Sequence, residues 1–311
     1  MPKFSVIITV YNKENHIAKT LKSVLNQTVS DFEIIVVNDG STDGSLEVIG
    51  QFKDARLYIF NQKNRGASAA RNRGISEATG KFIALLDGDD LWMPDYLEEI
   101  EGLQQTFPHA KIFATAVEIG SASGYYRSKY SFLNPEQKQH LLLDYFTSSY
   151  QNTLLTSSST VVDRAIFDTV GLFDESIKSG QDTDMWIRIG LQYSIAFSTQ
   201  QKVRYNFIAN SLANTTRSLD QKLTFEKFRK EEKSNPKLKK FIDLNRYSFA
   251  LKAKLWNDEP GFARFRESVD PSNLNRKQRF LLSLNGSSLR ALVRIKGYLE
   301  ILGLRLSAFG S

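Results

Sequence analysis

Residues 4–27, "FSVIITVYNKENHIAKTLKSVLNQ", decide the fold class. Residues 4–10 are apolar or β-branched almost throughout, the pattern of a strand covered on both faces. The residues that follow place Ile17, Leu21, Val24 and Leu25 at helical spacing. A fully buried strand feeding an amphipathic helix is half of a strand–helix–strand unit, and the pattern recurs. "FEIIVVND" (32–39) reads as a second strand, and "STDGSLEVIGQF" (41–52) opens with Ser, Thr and Asp cap candidates before a helix. "ARLYIF" (55–60) predicts a third strand, "GASAARNRGISEAT" (66–79) a helix of small residues, and "KFIALLD" (81–87) a fourth strand. Pro94 suits the first turn of a helix reaching about Phe107, with a further strand at "KIFATAVEI" (111–119). Strands alternating with helices imply an α/β domain on a mostly parallel sheet.

The second half is less regular. A helix is expected near 135–147, then a short strand, a helix and a turn in "SSSTVVDRAIFDTVGLFDE" (157–175). "DTDMWIRIGLQ" (182–192) predicts a three-turn helix with Met185 and Trp186 facing the core. Beyond residue 220 the pattern is helical and basic, with breaks at "DEPG" (258–261) and "NGSS" (285–288).

Composition narrows the function classes. The 311 residues are 41% hydrophobic and 24% charged, and contain no cysteine, so disulfides and thiolate metal sites are excluded within this chain. No run of about 18 apolar residues predicts a membrane-spanning helix. The N-terminal stretch enters a strand pattern without the layered order of a signal peptide, so a cytoplasmic location is expected. The net charge of +7 is uneven: residues 220–311 hold 20 Lys and Arg against 10 Asp and Glu, and residues 1–219 hold 21 against 24. A mildly acidic body with a basic tail points the tail toward an anionic partner.

"LLDGDDLW" (85–92) puts Asp87, Asp89 and Asp90 at the C-terminal end of a strand, where open α/β sheets bind ligands. Oxygen-only ligation suits a hard cation such as Mg²⁺ or Mn²⁺, with the remaining coordination supplied by phosphate. The alternative is a solvated turn in which Asp90 caps the next helix. Asn38 and Asp39 end the second strand, and a carboxylate there can accept from a nucleobase or ribose, or simply shape a turn. Tyr11 ends the first strand with a ring that stacks on a base or packs. "NRGASAARNRG" (64–74) carries Arg65, Arg71 and Arg73 among small residues, suited to phosphate or to a solvated face. No G-x-G-x-x-G follows the first strand, which disfavours a dinucleotide-dependent oxidoreductase.

In order and spacing, "SVIITVYNKENHIAKTLKSVLNQT", "FEIIVVNDGSTDGS", "NRGASAARNRGI", "FIALLDGDDLW" and "GQDTDMWIRI" resemble the inverting nucleotide-sugar transferases of glycosyltransferase family 2, over about residues 3–215. The resemblance implies a GT-A fold: a Rossmann-like mixed sheet flanked by helices, as a catalytic domain over 1–219 followed by a basic helical extension over 220–311. It implies that Thr9, Tyr11 and Asp39 hold the nucleotide base, that Arg71 approaches ribose and diphosphate, and that Asp87 lies near the ribose. Asp89 is then the ligand of an Mn²⁺ or Mg²⁺ ion, and Asp182 the general base that deprotonates the acceptor hydroxyl. Two departures stand out. The family's Glu before the base is Gln181, and "RYNFIANS" (204–211) has Asn206 and Ile208 where an Arg and a His commonly stand.

The implied activity is transfer of a sugar from a nucleoside diphosphate donor, with UDP the expected nucleotide, to a hydroxyl of a glycan or lipid-linked glycan in surface polysaccharide biosynthesis. The tail segment "SLRALVRIKGYLEILGLRLSAF" (288–309) is basic and amphipathic, so it either lies on the inner face of a membrane or packs on the domain or a second subunit. No nucleic-acid-binding module is apparent. Two other readings are carried: a catalytically weak nucleotide-sugar-binding protein, motivated by Gln181 and the absent His, and an aspartate-nucleophile phosphohydrolase, motivated by the Asp-x-Asp after a strand.

Overall fold

The computed structural model describes residues 1–121, 124–132, 139–206 and 223–301, with side chains described as far as Lys296. Ile208, and the tail from residue 302 onward, lie outside the described residues.

The three parallel strands β1 (Phe4–Val10), β2 (Phe32–Asn38) and β3 (Leu57–Asn61) are joined by helices α1 (Ile17–Leu25) and α2 (Ser45–Gly50). Helix α3 (Ala67–Glu77) then leads back to β4 (Phe82–Asp87), which pairs parallel to the other edge of β1. The two-residue β5 (Leu91–Trp92), helix α4 (Tyr96–Thr106), β6 (Ile112–Ser121) and β7 (Gly124–Arg127) follow. Next come β8 (His140–Leu143), α5 (Tyr145–Ser148), β9 (Thr160–Asp163), α6 (Phe167–Val170), α7 (Gln181–Gly190) and β10 (Ile195–Tyr205). The strands form one mixed sheet in the order β3-β2-β1-β4-β9-β6-β10-β5, with β7 on β6 and β8 on β10. Strand β9 runs antiparallel between β4 and β6 and joins the two parallel halves.

Alternation along β1 separates the two cores. Val6, Ile8 and Val10 face α1 and α4, packing with Leu21, Val24 and Ile100, whereas Ile7 faces α3 and packs with Ala70 and Ile75. The second core also takes Met185 and Trp186 of α7, both buried. A sheet covered by helices on both faces explains why its strands read as continuous apolar runs.

The region around 135–147 departs from the expected helix. Its described part is strand β8, antiparallel to the start of β10, followed by the single turn of α5. His140 fixes that edge: its Nε2 lies 2.8 Å from Glu99 Oε1, and Ser198 Oγ donates to the same oxygen at 2.6 Å. The sheet edge supplies partners that local propensity does not register.

After residue 223 the described chain is helical: α8 (Arg229–Ser234), α9 (Pro236–Leu255), α10 (Glu259–Glu267), α11 (Arg276–Ser283) and α12 (Gly286–Ile301). Helix α9 starts on an Asn235 cap with Pro236 in the first turn, as helix N-termini favour. Its Phe241 enters the second core, with its ring 5.3 Å from that of Tyr145 and 5.7 Å from that of Phe146. Lys227 Nζ lies 2.5 Å from Asp184 Oδ1 on α7, so the extension is tied to the helix that carries Asp182. No helix among the described residues is long and apolar enough to cross a membrane.

Candidate active site

The strand register sets the site. Thr9 pairs with both Val37 and Asp87, so β1, β2 and β4 end at one level and deliver Tyr11, Asp39 and Asp87 to a common edge. Tight turns then lace the rim. Asn12, in the left-handed region at φ 52°, accepts from Thr42 N through its side chain (2.8 Å) and donates its own N–H to Ser41 Oγ (3.0 Å). Gly88 follows from a close approach: its N–H donates to Thr9 O at 3.1 Å, and a Cβ there would stand 2.9 Å from the same oxygen. Only glycine lets Asp87 and Asp89 flank that contact.

Asp39 is buried and committed to the neighbouring loop. It accepts from Gln62 Nε2 at 2.7 Å, Arg65 N at 3.0 Å and Gly66 N at 2.8 Å. A carboxylate offers about four lone-pair positions, so one remains for a further donor. Those bonds fix the turn into α3, whose Arg71 is the centre of the site. Arg71 is only 4% exposed. Its Nη2 donates to Asp87 Oδ1 at 2.8 Å and its Nη1 to Asp182 Oδ1 at 2.7 Å, joining positions 111 residues apart in sequence. In this structure the guanidinium therefore serves two carboxylates of the site itself. Thr9 is part-exposed and Tyr11 exposed at the rim.

Asp182 is the second residue of α7, in the first turn, where the helix dipole favours an anion. Its carboxylate sits at the bottom of a cleft, with 38% of the side chain still open to it. Desolvation raises its pKa above the ordinary aspartate value, opposed by Arg71, while Asp87 raises it and a 3.2 Å hydrogen bond from Ser157 Oγ lowers it. Gln181 is buried beside it, and its Oε1 has no hydrogen-bond partner among the described residues. An amide at that point costs one unmade hydrogen bond, whereas the family's Glu would add another buried charge near Asp87 and Asp182.

The "DGDD" carboxylates divide by partner. Asp89 Oδ2 meets Lys13 Nζ at 2.6 Å. Burial and then Asp87 raise its pKa, with Lys13 pulling the other way. Asp90 was expected to cap the helix that follows, and it does not. Asp95 stands at the start of α4, and Asp90 is 1% exposed, accepting from Ser158 Oγ at 2.5 Å and Asn206 N at 2.9 Å. Burial and Asp87 push it well above the usual carboxylate range. The strand end thus crowds three carboxylates against one lysine and a shared arginine. This surplus suits a hard divalent cation held through Asp89, although no cluster of three or more metal-ligating side chains occurs among the described residues. One or two carboxylates completed by substrate phosphate and water is a normal Mg²⁺ donor set, so the residues present fit the ion.

Three residues of the site, Lys13, Ser157 and Ser158, carried no sequence signal as single positions, and Asn206 stood out only as a departure from the family pattern. Ser157 and Ser158 hold Asp182 and Asp90, Lys13 pairs Asp89, and Asn206 Nδ2 donates to Asp89 O at 2.5 Å. A short run of serines was legible, but not the acids it would meet.

The model of "Glycosyl transferase family 2" matches residues 5–171, more than half the chain. An uncharacterized glycosyltransferase of Rickettsia bellii is 38% identical over 191 residues, covering 60% of this chain and 26% of that protein. The putative glycosyltransferase EpsH of Bacillus subtilis is 44% identical over 101 residues, 32% of this chain and 29% of its own length. The chain thus spans only about a quarter to a third of these relatives. Among solved structures, S. aureus TarS 1-349 in complex with UDP-GlcNAc superposes with a TM-score of 0.70 at 22% identity, over 90% of this chain and 86% of that one. This likeness establishes a GT-A fold with additional C-terminal helices. With the family model spanning β1 to α6 and the fold extending through the helices beyond, the chain belongs to glycosyl transferase family 2.

Proposed function

We propose that this chain is an inverting glycosyltransferase that moves a sugar from a nucleoside diphosphate donor, with UDP as the nucleotide, to a hydroxyl of a glycan or lipid-linked glycan. The observation that carries this reading is the convergence of Asp87, Arg71 and Asp182 at the strand ends, with Asp89 beside them. Thr9, Tyr11 and the free position on Asp39 receive the base, Arg71 and Asp87 line the path of ribose and diphosphate, and Asp182 takes the proton of the attacking hydroxyl. Asp89 would hold Mn²⁺ or Mg²⁺, which supplies Lewis-acid neutralisation of charge on the departing diphosphate. S. aureus TarS has been crystallised with UDP-GlcNAc, and the same nucleotide class is the natural first donor to test.

The test is incubation with a panel of nucleoside diphosphate sugars, with Mn²⁺ or with a chelator. The expected result is donor turnover that the chelator removes and Mn²⁺ restores. Nucleotide binding without turnover on any acceptor would favour the weak binder, and turnover of phosphate monoesters alone would sink the transferase reading.

We also infer a cytoplasmic enzyme of surface polysaccharide biosynthesis that touches an anionic membrane through its last helices. Phe280, Leu292, Val293 and Ile295 are exposed among Arg276, Lys277, Arg279, Arg290, Arg294 and Lys296, and residues 271–296 contain no acid. Sedimentation with vesicles checks this: retention on anionic vesicles that salt releases is expected. Equal retention on neutral vesicles, or none on either, would exclude it.

A further inference from the structure

A cavity of about 440 Å³ opens from Asp87 and Asp182 and runs to the C-terminal extension. That is within the range of sites for small organic ligands, roughly 300–1,000 Å³. Its inner end is the two carboxylates, and its far wall is one face of α9: Phe241, Leu244, Asn245 and Ser248. These four stand at i, i+3, i+4 and i+7, a single stripe along the helix. Helix α9 lies beyond residue 171, where the match to the family model ends, so this wall belongs to the part of the chain outside that match.

The chemistry of the cavity is uneven. Several loop hydroxyls that line it are already spent on the loop: Thr153 Oγ1 donates to Leu155 O, Ser149 Oγ accepts from Leu154 N, and Thr156 Oγ1 pairs with Ser159 Oγ. Among the described residues, Asn245 and Ser248 bond only to their own helix, Asn245 Nδ2 to Phe241 O at 2.9 Å and Ser248 Oγ to Leu244 O at 3.1 Å. Each keeps oxygen lone pairs for a ligand hydroxyl. Aromatic rings of Tyr145, Tyr150 and Trp186 supply apolar surface. Among the described residues, no lysine or arginine lines the cavity, and its only charged side chains are the acids Asp87 and Asp182. Arg71 is shared between those two acids, so the inner end still carries one net negative charge, and among the described residues no lining cation is left to pair with a phosphate or carboxylate.

We propose that this cavity receives the acceptor, that the α9 stripe recognises it through Asn245 and Ser248, and that the accepting group is an uncharged sugar. This rests on the transferase reading of the previous subsection and adds to it the class of the acceptor end. Hydroxyls fit the amide and hydroxyl of α9, the apolar face of a sugar ring fits the aromatic wall, and Asp182 lies where an attacking hydroxyl must leave its proton.

Saturation-transfer NMR on the full chain, with alkyl hexosides against the corresponding hexose phosphates, tests the proposal without requiring turnover. Uncharged glycosides are expected to bind more tightly than the phosphates. Losing two neutral hydrogen bonds in Asn245→Ala/Ser248→Ala should weaken glycoside binding by about tenfold. The charge-switch variant Ser248→Lys should move preference toward the phosphates, and far-UV circular dichroism shows that each variant is folded. Tighter binding of phosphates to the native chain, or undiminished glycoside binding by the double variant, overturns the proposal. Donor hydrolysis is read in parallel. Hydrolysis without glycoside binding overturns this inference and spares the transferase reading. Glycoside binding that depends on Asn245 and Ser248, with no turnover of any nucleotide sugar, upholds the cavity assignment and sinks the transferase reading.

Discussion

Asp182→Asn should lower the rate of sugar transfer by about a thousandfold or more while leaving the fold and donor affinity close to native. The amide keeps the shape of the side chain and an oxygen to accept from Arg71 Nη1, now at 2.7 Å, so the local network survives. It has no lone pair basic enough to take a proton from an attacking hydroxyl. Were Asp182 only a structural partner of Arg71, the same change would appear as lost stability with turnover preserved, and thermal unfolding beside kcat separates the two. The pH profile gives a second readout. A base acts only when unprotonated, and desolvation raises the Asp182 pKa. The acid limb of the rate should therefore fall at a pH above the ordinary aspartate value of about 4. Ser157→Ala removes a hydrogen bond that favours the carboxylate, so the limb should move further up. A limb that stays in place in this variant would show that Ser157 does not tune the base.

The parts of this molecule legible in the sequence are those whose partners lie nearby or whose burial is uniform. Strands β1, β2, β4 and β6 are covered on both faces, so each reads as an unbroken apolar run whatever it pairs with. Helix α7 is legible because Met185, Trp186 and Ile189 recur on one side. The helix expected near 135–147 misled because the Leu-rich stretch at 141–143 is compatible with either state, and the edge of β10 decides it. Within the site, sequence supplies the candidate side chains but not their pairing. Composition alone in "NRGASAARNRG" does not say that Arg71, rather than Arg65 or Arg73, goes inward, since all three sit among small residues; only the family resemblance singles Arg71 out. The structure buries Arg71 and leaves Arg65 pairing with Glu175 at the surface. Asp90 shows the same gap: a third acid in "DGDD" looks like a solvated cap until Ser158 and Asn206, far along the chain, enclose it.

Arg71→Met should be the most destabilising change in the site, by about 2–3 kcal/mol: the guanidinium is buried, but the two acids it leaves are part-open to the cleft, which discounts the roughly 3–5 kcal/mol of a fully buried pair. Methionine matches much of the length and fills the space, so the loss is electrostatic rather than a cavity. Here two carboxylates are stranded at once, Asp87 at 2.8 Å and Asp182 at 2.7 Å from the missing guanidinium. Arg71→Lys would keep the charge but not the fork, and a single ammonium cannot reproduce two planar donors aimed at two acids. It should retain most of the stability and lose much of the turnover, since Asp182 would no longer be held in one orientation. The decisive comparison is Arg71→Met/Asp87→Asn/Asp182→Asn. If the penalty arises from unpaired charge, the triple variant recovers most of the stability lost in Arg71→Met while remaining inactive. If it unfolds at the same denaturant concentration as Arg71→Met, Arg71 holds the fold through packing against Phe173, whose ring centre is 5.4 Å from the guanidinium, and not through the two acids. The electrostatic account favours recovery because each amide removes a part-buried, unpaired charge at constant volume. A site built this way is stable only with its arginine in place, which couples the fold to the residues proposed to handle donor and acceptor.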